Sequence, residues 1–380
     1  MSAAKILSPA EIAPFLRGAL HVERKPDYLE PVRLPASALA QSPDPGVSLT
    51  ARMTSGVRLA FETDSPFVAL DVFETGLQYV GDARRPSTFD LIVDGAPAGR
   101  GESTNGSTIV IDGTKVPPAV QIVRGGNSLV RFDGLSAANK AIEIWLPHAA
   151  MVRLRGLHVA SDANIRPSKV TRRTWAHYGS SISHGMEADG PSETWPAVAS
   201  RKLGLELVHM GLGGQCHVDG FAARAIRDSG AGLISLKLGI NVVNGDSMRE
   251  RSFRPAVDNF LDTIREKKAD TPIMVVSPIF CPAAETNPGP TLREGPVFVT
   301  RKRSPEMSLG ALSLSRIRQI LEEIVARRRA AGDANLHYLD GLELFNESDT
   351  GDLPDGLHPN AAGLKRMGER FASLARVHFA

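Results

Sequence analysis

The chain is poor in cysteine, in aromatic residues and in net charge, and each shortage closes off a class of proteins. Its 380 residues include two cysteines, Cys216 and Cys281. Two cysteines cannot build a disulfide framework, and neither lies in a C-x-x-C pair, so both are expected as buried thiols in a reducing compartment. The 44 basic and 42 acidic residues leave a formal net charge of +2. That near balance gives no broad cationic face for nucleic acid or a membrane surface. The basic runs Arg301-Lys302-Arg303 and Arg327-Arg328-Arg329 read as solvated charge. No stretch of about 18 apolar residues occurs, so no membrane-spanning helix is expected. The first twenty residues lack the apolar core of a signal peptide, which makes the cytoplasm the expected location. They read instead as a short helix, with Pro9 at its first position and Ser8 and Glu11 at capping-box spacing.

What is present suffices for two cores. Apolar residues make up 42% of the chain and charged residues 23%, a globular composition long enough for two domains. The two halves have different periods. From Val47 to Ala160, short runs alternate apolar and polar, as in Phe67-Val68-Ala69-Leu70-Asp71-Val72-Phe73 and Ala141-Ile142-Glu143-Ile144-Trp145-Leu146. Turn pairs such as Asp94-Gly95 and Asn105-Gly106 separate them, and the pattern predicts a β-sandwich. The spacing assigns residues 1–165 to this domain, short N-terminal helix included, and 166–380 to a second, with Ser161 to Lys169 as the linker.

In the second region strands and helices alternate. Strands are predicted at 174–178, 205–210, 233–238, 273–276 and 336–339. Helices are predicted at 195–203, 218–228, 255–267, 309–329 and 361–374. This order predicts a parallel sheet covered on both faces. The stretch from Cys281 to Pro305 has no period and is rich in Pro, Gly and Thr, which marks it as a candidate lid or substrate loop.

Ligands of an open α/β sheet bind at the carboxyl ends of its strands, so the residues after each strand matter most. The first strand is followed by Gly179-Ser180-Ser181-Ile182-Ser183-His184-Gly185. A Gly before a Ser at such a turn allows a sharp bend that exposes the hydroxyl. It is not a G-x-S-x-G elbow, because Ser183 stands where the second Gly would be. Gly211-Leu212-Gly213-Gly214 follows the second strand, where glycine permits positive φ and lets an N–H face the site. Gly239-Ile240-Asn241 follows the third, and the Asn amide can donate to a developing oxyanion. Near the C-terminus, the D-x-x-H spacing of Asp355 and His358 lets one turn present a base and its orienting carboxylate. Any one of these segments is ordinary; their joint placement is not.

In order and spacing the four segments resemble the SGNH, or GDSL-type, hydrolase superfamily, from about Arg172 to the C-terminus. The resemblance implies a three-layer α/β/α, flavodoxin-like domain with a parallel sheet. It makes Ser181 the nucleophile, His358 the base and Asp355 its acidic partner. The N–H groups of Ser181 and Gly214 and the side chain of Asn241 become the oxyanion donors. Three positions depart from the family pattern: Ser180 for Asp, His209 for Asn, and Val242 for Asp. With a β-rich region in front, jelly-roll-like in expectation, the chain resembles two-domain carbohydrate esterases.

The expected activity is hydrolysis of a short-chain ester, acetyl foremost, of a carbohydrate or small-molecule alcohol through an acyl-enzyme. Low aromatic content (6%) and the lack of an evident apolar lid favour short acyl groups. A lysophospholipase- or thioesterase-like activity is the rival within enzymes, and an inactive carbohydrate-binding module the rival outside them. No cofactor is required. His177, His184, His209 and His217 show neither i, i+4 spacing nor a C-x-x-C partner, so no metal site is expected.

Overall fold

The computed structural model describes residues 4–42, 44–115, 117–169 and 171–379. The chain forms two compact units. One comprises the residues up to Arg33 together with Ala51–Thr171 and Gly190–Ser192; the other comprises Leu34–Thr50, Arg172–Asp189 and the residues from Glu193 onward. These units differ from a single cut at 165/166. The strand Ile165–Pro167 lies within the expected linker, yet it pairs antiparallel with Arg58–Thr63 of the first unit. Residues 34–50 belong to the second unit, where the Arg224 guanidinium donates to Gln41 Oε1 on the helix Ala36–Gln41.

The first unit is β-rich, with one sheet of eight strands and another of six. Alternation along the strands turns one face of each sheet inward. Val68, Leu70, Val72, Val152 and Leu154 from the larger sheet join Leu59, Phe61, Phe89, Leu91, Ile142 and Ile144 from the smaller in one buried cluster. This is the sandwich core that the alternating pattern implies. The short helix runs from Pro9 to Ile12, and the Ser8 N–H and hydroxyl both donate to the Glu11 carboxylate.

The second unit carries a five-stranded parallel sheet. Its spatial order is Glu206–Gly211, Thr174–Gly179, Leu233–Lys237, Ile273–Val276, Leu336–Leu339. In chain order that is 2-1-3-4-5, the flavodoxin-like arrangement, which reverses direction between its first and third strands. In such sheets ligands bind at the reversal, here the carboxyl ends of Thr174–Gly179 and Leu233–Lys237. Every residue of Leu233–Lys237 is buried, as a strand covered on both faces requires. Two helices begin elsewhere than their periodicity suggests. Glu250–Arg265 starts before Pro255 because Arg249 N–H is capped by the Ser252 hydroxyl. Leu314–Ala330 starts late because Ser313 accepts from Arg316 N–H. The aperiodic stretch after Cys281 contains a hairpin, Thr291–Glu294 paired with Val297–Thr300.

Candidate active site

Three turns at the carboxyl edge of this sheet, and one turn near the C-terminus, supply the candidate site. The first begins at Gly179, where a Cβ would fall 2.3 Å from Ser183 Oγ, so only glycine fits. Ser180 precedes the single-turn helix Ser181–His184 in an extended conformation without a side-chain cap, and the helix ends at Gly185 with φ +78°. As the first helical residue, Ser181 has a backbone N–H with no partner inside the helix. Its Oγ lies 2.9 Å from His358 Nε2. Ser180 is buried and its hydroxyl has no partner, so the imidazole meets Ser181 and not its neighbour.

The imidazole is held from behind. His358 Nδ1 is 2.7 Å from Asp355 Oδ2, while Asp355 Oδ1 accepts the N–H groups of Leu357 (2.9 Å) and His358 (2.7 Å). Gly356, at φ +78°, lets the turn close. Partial burial pushes the Asp355 carboxyl up, but the His358 hydrogen bond and charge and the two N–H donors outweigh it and hold the group below its ordinary value. The carboxylate therefore stays charged at neutral pH. Asn360 Oδ1 accepts Gly363 N–H and its amide donates to Asp352, fixing the start of the helix Ala361–Phe379 just beyond His358.

The second turn, Gly211 to Gly214, passes alongside. A Cβ on Gly211 would meet His184 N and His209 Nε2 at 2.6 Å each. A Cβ on Gly213 would lie 3.8 Å from Ser181 Cβ, and Gly214 has φ +71° with open space where its side chain would be. The third turn brings Asn241, buried at the start of the helix Ile240–Asn244. Its Oδ1 accepts Cys216 N–H at 3.0 Å, which turns the amide NH2 the other way.

Two neighbours of the site carry no motif in the sequence. His217 bridges Gly214 O (3.1 Å from Nε2) and Ser247 Oγ (2.8 Å from Nδ1), clamping the glycine turn to the residues that follow Asn241. Only its three-residue offset from Gly214 hinted at this. Phe298, on the hairpin, sets its ring edge-on to His358 with centroids 5.5 Å apart. Leu292 and Val297, on the same hairpin, are exposed apolar residues.

His177, His184 and His209 are buried, and no group of three or more His, Cys, Asp or Glu that could hold a metal occurs among the described residues. Cys216 and Cys281 are free and buried, and burial pushes each thiol up to about 12. No helix among the described residues is long and apolar enough to cross a membrane.

Solved structures of known proteins resemble the chain along nearly its whole length. The salicylyl-acyltransferase SsfX3 from a tetracycline biosynthetic pathway is 28% identical, with 99% of each chain covered and a TM-score of 0.82. A putative GDSL-like lipase from Bacteroides ovatus is 20% identical over 99% of this chain and 98% of its own, with a TM-score of 0.72. A family two carbohydrate esterase from Cellvibrio japonicus is 13% identical over 100% and 99%, with a TM-score of 0.60. No curated protein matches the chain in sequence. The model of the GDSL-like lipase/acylhydrolase family matches residues 177–366, a span that includes Ser181, Gly214, Asn241, Asp355 and His358. Half of its length lies inside that match, and the chain belongs to the GDSL-like lipase/acylhydrolase family of ester hydrolases.

Proposed function

We propose that the protein cleaves short-chain esters, acetyl esters foremost, of a carbohydrate or small-molecule alcohol through an acyl-enzyme on Ser181. The observation that carries this reading is the unbroken hydrogen-bonded line from Ser181 Oγ through His358 to Asp355. As Ser181 Oγ bonds to the ester carbonyl carbon, its proton passes to His358 Nε2. Asp355 holds the ring and stabilises the imidazolium. The N–H groups of Ser181 and Gly214 and the Asn241 amide receive the oxyanion. Its collapse breaks the bond to the alcohol, which leaves with the proton from His358. Water, deprotonated by the same imidazole, then frees the acid and restores Ser181.

A second reading is favoured by one observation, the 28% identity to an acyltransferase along nearly the whole chain. In that reading an alcohol replaces water in the last step, and the same residues keep the same roles. Adding a short alcohol to an ester assay separates the two. Transfer shows as a new ester with constant release of the first alcohol; hydrolysis shows as equal release of alcohol and acid.

The test of the shared step is Ser181→Ala, expected to abolish p-nitrophenyl acetate hydrolysis while circular dichroism stays unchanged. Ser180→Ala is expected to retain it. The opposite result would move the nucleophile by one residue. A wild-type profile that rises from acetyl to long acyl chains would remove the short-chain part and favour a lysophospholipase- or thioesterase-like activity. Glycan binding without any turnover would favour the binding module.

A further inference from the structure

The hairpin Thr291–Thr300 is tied to both sides of the candidate site. At its base, a Cβ on Gly289 would lie 1.7 Å from Val243 O, so the chain runs directly against the end of the Asn241 helix. Thr291 Oγ1 donates to Asn244 Oδ1 at 2.9 Å on the same helix. At the other end, Phe298 N–H donates to Asp355 O at 2.8 Å, on the turn that carries the base. The hairpin is therefore held by the element bearing one oxyanion donor and by the element bearing the imidazole. Between these anchors the half-buried Phe298 ring stands at 74° to His358.

The position of that ring has a chemical consequence. In ester cleavage the base returns its proton to the leaving oxygen, so that oxygen must come within hydrogen-bond reach of His358 Nε2. The carbon skeleton attached to it is the alcohol part of the ester, not the acyl part. A ring flanking the imidazole thus meets the alcohol. Aromatic faces gain by contact with flat apolar surfaces, an aryl ring or the C–H face of a pyranose, and gain little from a short linear chain. We infer that Phe298 is a specificity-determining residue that receives a cyclic alcohol moiety with an apolar face. This deepens the proposed function and rests on it.

The experiment holds the acyl group constant and varies the alcohol. kcat/KM is measured for phenyl acetate, a monoacetylated methyl glucopyranoside and ethyl acetate, in wild type and Phe298→Ala. Taking the wild-type to variant ratio for each ester cancels its intrinsic reactivity. The ratio is expected near tenfold for one or both ring alcohols and below about threefold for ethyl acetate; which ring responds tells aryl from sugar. Phe298→Tyr is expected to restore the ring preference. Equal losses on all three esters would reduce Phe298 to a support for His358 and overturn the inference, as would no loss at all. If Phe298→Ala fails to fold, Phe298→Leu serves in its place. If wild type turns over none of the esters, the acyl-enzyme reading has failed separately. Saturation-transfer NMR of phenyl acetate and the glucoside with Ser181→Ala then tests the surface alone. Transfer lost on adding Phe298→Ala supports the inference, and unchanged transfer overturns it.

Discussion

Two serine–histidine contacts lie two residues apart on the turn after the first parallel strand. Ser181 Oγ sits 2.9 Å from His358 Nε2, and Ser183 Oγ sits 2.8 Å from His177 Nε2. By distance alone they are equivalent. They differ in what stands behind each ring. His358 backs onto the ionised Asp355 and is partly exposed. His177 backs onto the Ser235 hydroxyl, which also accepts Trp175 Nε1–H, and the ring is fully buried. Burial first, and then the nearby Lys237 charge, lower His177 to about 3. An imidazole that refuses a proton cannot act as a base, whatever hydroxyl it touches. The comparison teaches that the carboxylate and the access to solvent, rather than the Ser–His distance, separate a candidate nucleophile from a structural tie.

The most direct way to break the comparison is to make the first pair resemble the second. Asp355→Asn keeps the shape and removes the charge behind His358. The expected loss in kcat is about 10⁴-fold, the scale of the same change in a serine protease triad. A loss below tenfold would mean that the carboxylate is not what distinguishes the two pairs. A smaller effect is expected at the oxyanion side. Asn241→Ala should lower kcat by roughly a hundredfold, with KM changing far less, because the amide meets charge that exists only in the transition state. A rise in KM of the same size would assign Asn241 to substrate binding instead.

The same contrast explains what could be read from the sequence. Ser181, Gly214, Asn241, Asp355 and His358 can be named as candidates from the sequence because each follows a strand or belongs to the D-x-x-H turn, where short-range chain geometry sets placement. The alternating and β-α periods likewise exposed the two kinds of core. The Ser183–His177–Ser235 tie was not legible, since Ser235 is 52 residues beyond Ser183 and meets His177 only through the parallel register of the sheet. Nor were the Phe298–His358 and His217–Ser247 contacts, which tertiary closure fixes. The hairpin has no clear signal in the sequence because its ladder is four residues long on each side and sits within a Pro- and Gly-rich stretch. Residues 34–50 went to the wrong neighbours on a linear reading because packing against the helix Gly220–Asp228 has no local signal.

The smallest effect on activity, and the sharpest on stability, belongs to the buried pair. Ser183→Ala leaves His177 Nε2 without its partner in a buried site, which typically costs about 1–3 kcal/mol. The kcat of the folded variant should stay within about threefold of wild type, in contrast to the collapse at Ser181. Solution pH supplies the second half of the test. The folded-state value for His177 is about 3, against 6.5 for the free group. On acidification the unfolded chain therefore takes up this proton first. The contribution to stability is full above pH 6.5 and falls as pH drops from there toward 3, at about 1.4 kcal/mol per unit once well below 6.5. Replacing the ring by an amide removes the proton and keeps a donor, so His177→Gln should be less stable than wild type at pH 7 but lose less on going to pH 5. Urea unfolding at the two pH values measures the gap between the proteins. It should narrow on acidification; a constant gap would show that His177 binds its proton as readily in the folded protein as in the unfolded chain, and the two imidazoles would no longer differ in the way their surroundings imply.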